Sequence, residues 1–165
     1  MIKCKTGIWH ADPRKLISNL SIGEKEKPSV KSVEELREIF KQDRYATDAT
    51  GIEILEAGDG YAKVGLKVCK DRHMNAGNRV MGAVYYTMAD FAFAVASNPD
   101  AGDAPITFTL SSQISFLTAA KGSYLTAEAK AVRKGRKTSF YAAEIRDELG
   151  TLVATVSSTG FTMDR

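Results

Sequence analysis

Asp90 is the one charged residue in the run GAVYYTMADFAFAVASN, from Gly82 to Asn98. A carboxylate flanked by Ala89, Phe91, Ala92 and Phe93 is costly unless it is paired, hydrogen-bonded or protonated. Two readings follow. It is a general base or nucleophile working in an apolar setting, or it is a structural acid, either buried and satisfied by backbone donors or on a helix face that emerges at the surface. Gly82 precedes it by about two helical turns. The first turn of a helix carries N–H groups without partners and the positive end of the dipole. Such a donor can hold a developing oxyanion, and losing one typically costs about 10²–10³ in rate. The plainer role for Gly82 is close approach of the helix to a sheet. Asn75 and His73 stand just upstream. Asn75 suits the orientation of a water or a carbonyl, or an Asx-turn. His73 has no metal-ligand partner and is a candidate substrate contact or a loop hydrogen-bonder.

Other chemistries lack their residues. The serines, Ser139 among them, have no Gly-x-Ser-x-Gly context, and there is no phosphate-binding or dinucleotide-type glycine loop. Cys4 and Cys69 are the only cysteines and lack zinc-ligand spacing, so neither a metal nor a cofactor is expected. Arg133, Lys134, Arg136 and Lys137 surround a turn that is either a solvated hairpin or a phosphate clamp. The net charge of +3 over 165 residues suits an anionic small ligand better than nucleic acid. No basic run is interleaved with aromatics. The apolar run is shorter than the roughly 20 residues of a membrane span, and the N-terminus has no signal-type apolar core. A cytoplasmic protein that meets neither nucleic acid nor membrane is expected.

The elements that must hold these groups are legible as changes of period. Residues 1–31 read as an N-terminal extension, with a short helix from Pro13 to about Leu20 and a polar linker from Ser21 to Ser29. Residues 32–165 read as one domain. Ser32 and Glu35 have capping-box spacing, and Val33, Leu36, Ile39 and Phe40 predict an amphipathic helix over Val33–Gln42. Gly58-Asp59-Gly60 joins two strand-like segments, the second running Tyr61–Val68. A run from Gly82 to Asn98 that is apolar all round predicts a buried helix, stopped at Pro99. Ile106–Phe116 alternates, with Ile106, Phe108, Leu110, Ile114 and Phe116 apolar and the odd positions polar. Leu125–Val132, Lys137–Arg146 and Leu152–Phe161 complete the strands. Short connections predict an antiparallel meander with the helix on one face, an α+β fold.

The combination His73-x-Asn75, Met81-Gly82-Ala83 and Met88-Ala89-Asp90 followed by FAFAVASN resembles the hotdog-fold acyl-CoA thioesterases of the phenylacetate-degradation type. ISFLTAAKG (114–122), LTAEAKAVRKGRKT (125–138) and DELGTLVATVSSTGF (147–161) extend the resemblance, which covers Val33 to Phe161. It implies an antiparallel sheet wrapped around a central helix, and hydrolysis of an aryl- or medium-chain acyl-CoA. It places the base or nucleophile at Asp90, the oxyanion donor at the Gly82 N–H and the polar loop residue at Asn75. It also points to Thr109 as a hydroxyl near the reacting water. It implies a homodimer or homotetramer with sites between subunits, and places Arg136 and Lys137 where CoA phosphates could meet them. The family usually has His-Gly-Gly where this chain has Met81-Gly82-Ala83. A backbone donor at Gly82 does not depend on that histidine. The alternative is a non-catalytic module that binds acyl-CoA or an acyl carrier. A hydratase of similar fold is less favoured, because Asn98-Pro99-Asp100 lacks the histidine of that loop.

Overall fold

The computed structural model describes residues 30–101 and 105–164. The helix expected over residues 13–20, the linker after it and Cys4 lie outside the described residues. Helix α1 (Val33–Phe40) begins at its capping box. Ser32 Oγ accepts from the Glu35 N–H at 3.3 Å, and Glu35 Oε2 accepts from the Ser32 N–H at 2.8 Å. The apolar stripe of α1 buries Leu36 completely. A π-helical turn, Tyr45–Thr50, follows and ends at Gly51, whose φ of 81° supplies the left-handed cap that glycine adopts without penalty.

The strands are β1 (Glu53–Gly58), β2 (Tyr61–Lys67), β3 (Ile106–Phe116), β4 (Tyr124–Lys134), β5 (Thr138–Asp147) and β6 (Leu152–Met163). A short helix α2 (Lys70–His73) leads toward the long helix α3 (Gly82–Ser97). The strands form one antiparallel sheet in the order β1-β2-β4-β5-β6-β3, and α3 lies on its inner face. That face alternates as period-two burial requires. Ala62, Val64 and Leu66 of β2 sit opposite Ala129, Ala127 and Leu125 of β4, and Ala143 and Ile145 of β5 continue the row. The run of alanines lets a bulky helix settle close, and Phe93 stands edge-on to Tyr141 with centroids 5.0 Å apart.

The sheet departs from a simple meander. β4, β5 and β6 follow one another, but β3 pairs with β6 at the sheet edge. The connection over residues 117–123 therefore crosses the end of the sheet, and the β5–β6 turn receives it. Asp147 Oδ2 accepts from the N–H groups of Lys121 and Gly122 at 2.9 and 3.3 Å. Glu148 accepts from those of Ser123 and Tyr124 at 2.7 and 2.9 Å.

The alternation of β3 is broken as well. A bulge between Thr109 and Ser111 shifts the register, so the apolar even positions do not share one face. Thr107 and Thr109 face the helix before the bulge, and Ser112, Ile114 and Phe116 face it afterwards. Phe108 is left 51 % exposed and Leu110 65 % exposed.

Candidate active site

Asp90 sits half-buried on the side of α3 that turns toward the edge strand. Its Oδ1 accepts a 2.8 Å hydrogen bond from Thr109 Oγ1. The bulge just after Thr109 ends the stretch of β3 that aims this hydroxyl at the helix. Asp90 Oδ2 has no hydrogen bond among the described residues, so one oxygen is fixed and the other is available to a water or a carbonyl. The carboxylate lines a cavity of about 240 Å³ shared with Asp43, Tyr45, Ala46, Tyr86 and Phe91. Three of these come from the segment around the π-helical turn. No amphipathic period marks that segment, so the sequence pattern did not single it out.

Gly82 opens α3. The N-cap, Met81, gives no side-chain hydrogen bond, and amides of a first turn have no intrahelical acceptor. A Cβ at Gly82 would come within 2.9 Å of the Phe116 ring, so glycine here allows close packing against the end of β3. The cavity at this end, about 350 Å³, is lined by Val80, Gly82, Tyr85, Phe116 and Leu117. Burial pushes the Tyr85 phenol up, and its oxygen accepts from the Ala120 N–H.

Asn75 is exposed in the loop before α3. Its Oδ1 accepts from the N–H groups of Gly77 and Arg79 at 2.9 and 3.1 Å, the Asx-turn geometry. Its side-chain NH₂ makes no hydrogen bond among the described residues. His73 is buried, and both of its ring nitrogens are engaged. Nδ1 accepts from the Cys69 N–H at 2.9 Å, which leaves the proton on Nε2, 2.9 Å from the Thr50 carbonyl. His73 thus fastens the loop to the π-helical turn. Arg136 and Lys137 are exposed in the β4–β5 turn, while neighbouring Lys134 pairs with Asp59. This turn lies at the end of the sheet where α3 finishes, opposite Gly82. Asn98, the α3 C-cap, hydrogen-bonds Thr107 at that same end.

The structure therefore brings Asp90 and Thr109 together and keeps Gly82 apart from them. Helical rise separates positions 82 and 90 by about 12 Å along the axis, and each lines its own cavity. Among the described residues no three His, Cys, Asp or Glu side chains gather as metal ligands, and no helix is long and apolar enough to cross a membrane.

Residues 77–154 match the sequence family described as the thioesterase superfamily. An esterase-named protein of Archaeoglobus fulgidus is 34 % identical over 128 residues, which span 77 % of this chain and 80 % of that one. The PaaI protein from the phenylacetic acid degradation operon of E. coli superposes with a TM-score of 0.72 at 23 % identity, over 82 % of this chain and 97 % of its own. A Streptococcus mutans protein solved bound to acetyl CoA superposes with a TM-score of 0.63 at 22 % identity, over 69 % of this chain and 92 % of its own.

Proposed function

The chain belongs to the thioesterase superfamily, has its hotdog fold and is a thioester hydrolase; from that premise we propose that it hydrolyses an aryl- or medium-chain acyl-CoA, with Asp90 as the reacting carboxylate. The observation that carries this reading is the state of Asp90. Thr109 fixes one oxygen, and the other is unengaged in a carboxylate that lines a cavity. Water attacking the thioester carbonyl passes its proton to Asp90, or Asp90 attacks first and water opens the resulting anhydride. Collapse of the tetrahedral intermediate expels the CoA thiolate in the first case, and formation of the anhydride expels it in the second. The acetyl CoA bound to the Streptococcus mutans protein supports the substrate class.

The oxyanion donor comes from a second copy of the chain, because the Gly82 N–H lies about 12 Å along the helix from Asp90 of its own subunit. The outer edge of β3 is eleven residues long and unpaired among the described residues, with Phe108, Leu110 and Phe116 exposed beside it. An open apolar edge of this length invites pairing with another strand. An antiparallel join of two β3 edges sets the ends of the two subunits in opposite directions. Gly82 of one copy then approaches Asp90 and Thr109 of the other. The same reversal carries Arg136 and Lys137 of one copy to the end that holds the other's Gly82, where CoA phosphates could meet them. The side-chain NH₂ of Asn75 is the remaining polar donor for the carbonyl or the water.

The test is thiol release from a panel of aryl- and fatty-acyl-CoAs by wild type and Asp90→Asn. Turnover that vanishes in the variant upholds the reading. Equal turnover by the variant removes Asp90 from it, and bound esters with no turnover in either protein point to a binding module.

A further inference from the structure

Two cavities meet at one side chain next to Asp90. The first is the 240 Å³ cavity that Asp90 itself lines. The second, about 420 Å³, lies behind it between α1, the π-helical turn and β1, with Phe40, Ile52 and Ile54 on its inner wall and Arg37, Lys41, Thr47 and Glu53 around its rim. Phe91 is the one residue that lines both. It is 2 % exposed and stands edge-on to Phe40 with centroids 5.7 Å apart. The turn contributes the rest of the partition, with Ala46 on the Asp90 side and Thr47 on the far side.

We propose that Phe91 sets the acyl-chain limit of this enzyme by closing the Asp90 cavity off from the larger cavity behind it, whose inner wall is Phe40, Ile52 and Ile54. The proposal rests on Asp90 being the reacting carboxylate. With its carbonyl at Asp90, a substrate directs its acyl group into the near cavity. At roughly 30 Å³ per water- or methylene-sized group, that space holds about eight groups, a single substituted ring or a short chain. Tyr45 and Tyr86 are among its lining residues, and aromatic side chains suit a ring. The far cavity has room for about fourteen more groups on the same measure, and Phe91 is the side chain that stands between it and the near cavity. Arg37 Nε and Nη2 both donate to the Ile54 carbonyl, at 2.9 and 2.6 Å, and so hold α1 against β1 as the far cavity's outer wall.

The test uses the full chain and a series of straight-chain acyl-CoAs from butanoyl to hexadecanoyl, with phenylacetyl-CoA beside them. kcat/KM for thiol release is measured for wild type, Phe91→Ala and Phe91→Leu. Wild type is expected to fall off beyond about eight carbons. The ratio of dodecanoyl to octanoyl kcat/KM is expected to rise at least tenfold in Phe91→Ala and by a smaller factor in Phe91→Leu. If removal of the buried ring prevents Phe91→Ala from folding, the Leu variant carries the test, because it keeps most of the packing volume. The proposal is overturned if wild type hydrolyses hexadecanoyl-CoA as well as butanoyl-CoA, or if a folded variant leaves the ratio unchanged. Those results leave the role of Asp90 standing. Absence of all thioester turnover in wild type removes that role and the chain-length limit together.

Discussion

Asp90 and Asp147 are both carboxylates on the folded domain, and their surroundings give them opposite uses. Asp147 is 4 % exposed and saturated. Its two oxygens accept from the backbone N–H groups of Lys121, Gly122, Leu149 and Thr151. Burial pushes the Asp147 carboxyl up, but the amides of Lys121, Thr151 and Gly122 outweigh it and hold the group down at about 2. Asp90 takes one hydrogen bond, from a side chain, beside a cavity. A carboxylate whose lone pairs are all taken by backbone fixes the fold. One with an oxygen to spare beside a cavity is equipped to react. The contrast separates loss of activity from loss of stability, and each carboxylate should show only one of them.

Replacing Asp90 with Asn gives the largest expected effect. Thiol release should fall by about 10²–10⁴-fold, the usual worth of a positioned general base, while thermal unfolding stays near wild type. A large loss of melting temperature in this variant would break the contrast. Asp147→Ala should do the reverse. It strands several amides, lowers Tm by roughly 5 °C or more, and leaves kcat per folded molecule close to wild type. The pH dependence carries the same signature. The Asp147 pKa is lowered on folding from an ordinary unfolded value of about 3.9, so the unfolded chain binds more protons as pH falls. The stabilisation it provides is complete above about pH 5 and is lost as pH drops toward 2. Urea unfolding between pH 5 and 2.5 should show a shallower slope in the Asp147 variant than in wild type.

Smaller changes sharpen the Asp90 side. Thr109→Val removes the hydroxyl that fixes Oδ1 and should lower kcat about tenfold, since a bond to a charged group is worth on the order of 1.5–3 kcal/mol. Thr109→Ser should restore most of it. Arg136→Ala with Lys137→Ala should raise KM for acyl-CoA about threefold at low salt with kcat unchanged. That difference should fade in high salt, as expected for exposed charges. Loss of kcat instead would place the turn nearer the reacting atoms.

Much of the scaffold was legible because its signals are local. The Ser32–Glu35 box, the all-round apolar run of α3 and the strict burial alternation of β5 each depend on near neighbours in sequence. Asp90 stood out because it is the one charge in that helix. Other features depend on chain segments far apart. The place of β3 beside β6 is settled partly by Asp147 and Glu148 receiving a crossing connection from some twenty-five positions earlier. The bulge after Thr109 is not marked by any break in the parity of Ile106, Phe108 and Leu110, and only β6 supplies the register that reveals it. His73 shows only that it is a histidine, and its fastening role depends on the Thr50 carbonyl from the π-helical turn. The cavity partition at Phe91 was hidden for the same reason. An aromatic residue in an apolar helix looks like core until the turn from Tyr45 to Thr50 is folded against it.

The edge position of β3 also sets an order of events in synthesis. Among the described strands its one neighbour is β6, about forty residues further along the chain. While the chain emerges from a ribosome, β1, β2, β4 and β5 can pair among themselves, but β3 has no strand to align it until residues 152–163 have appeared. Contacts between such distant segments form late. The edge proposed to join two subunits is therefore complete only once β6 is in place, and a chain truncated before β6 should lose both the join and the Thr109 contact to Asp90.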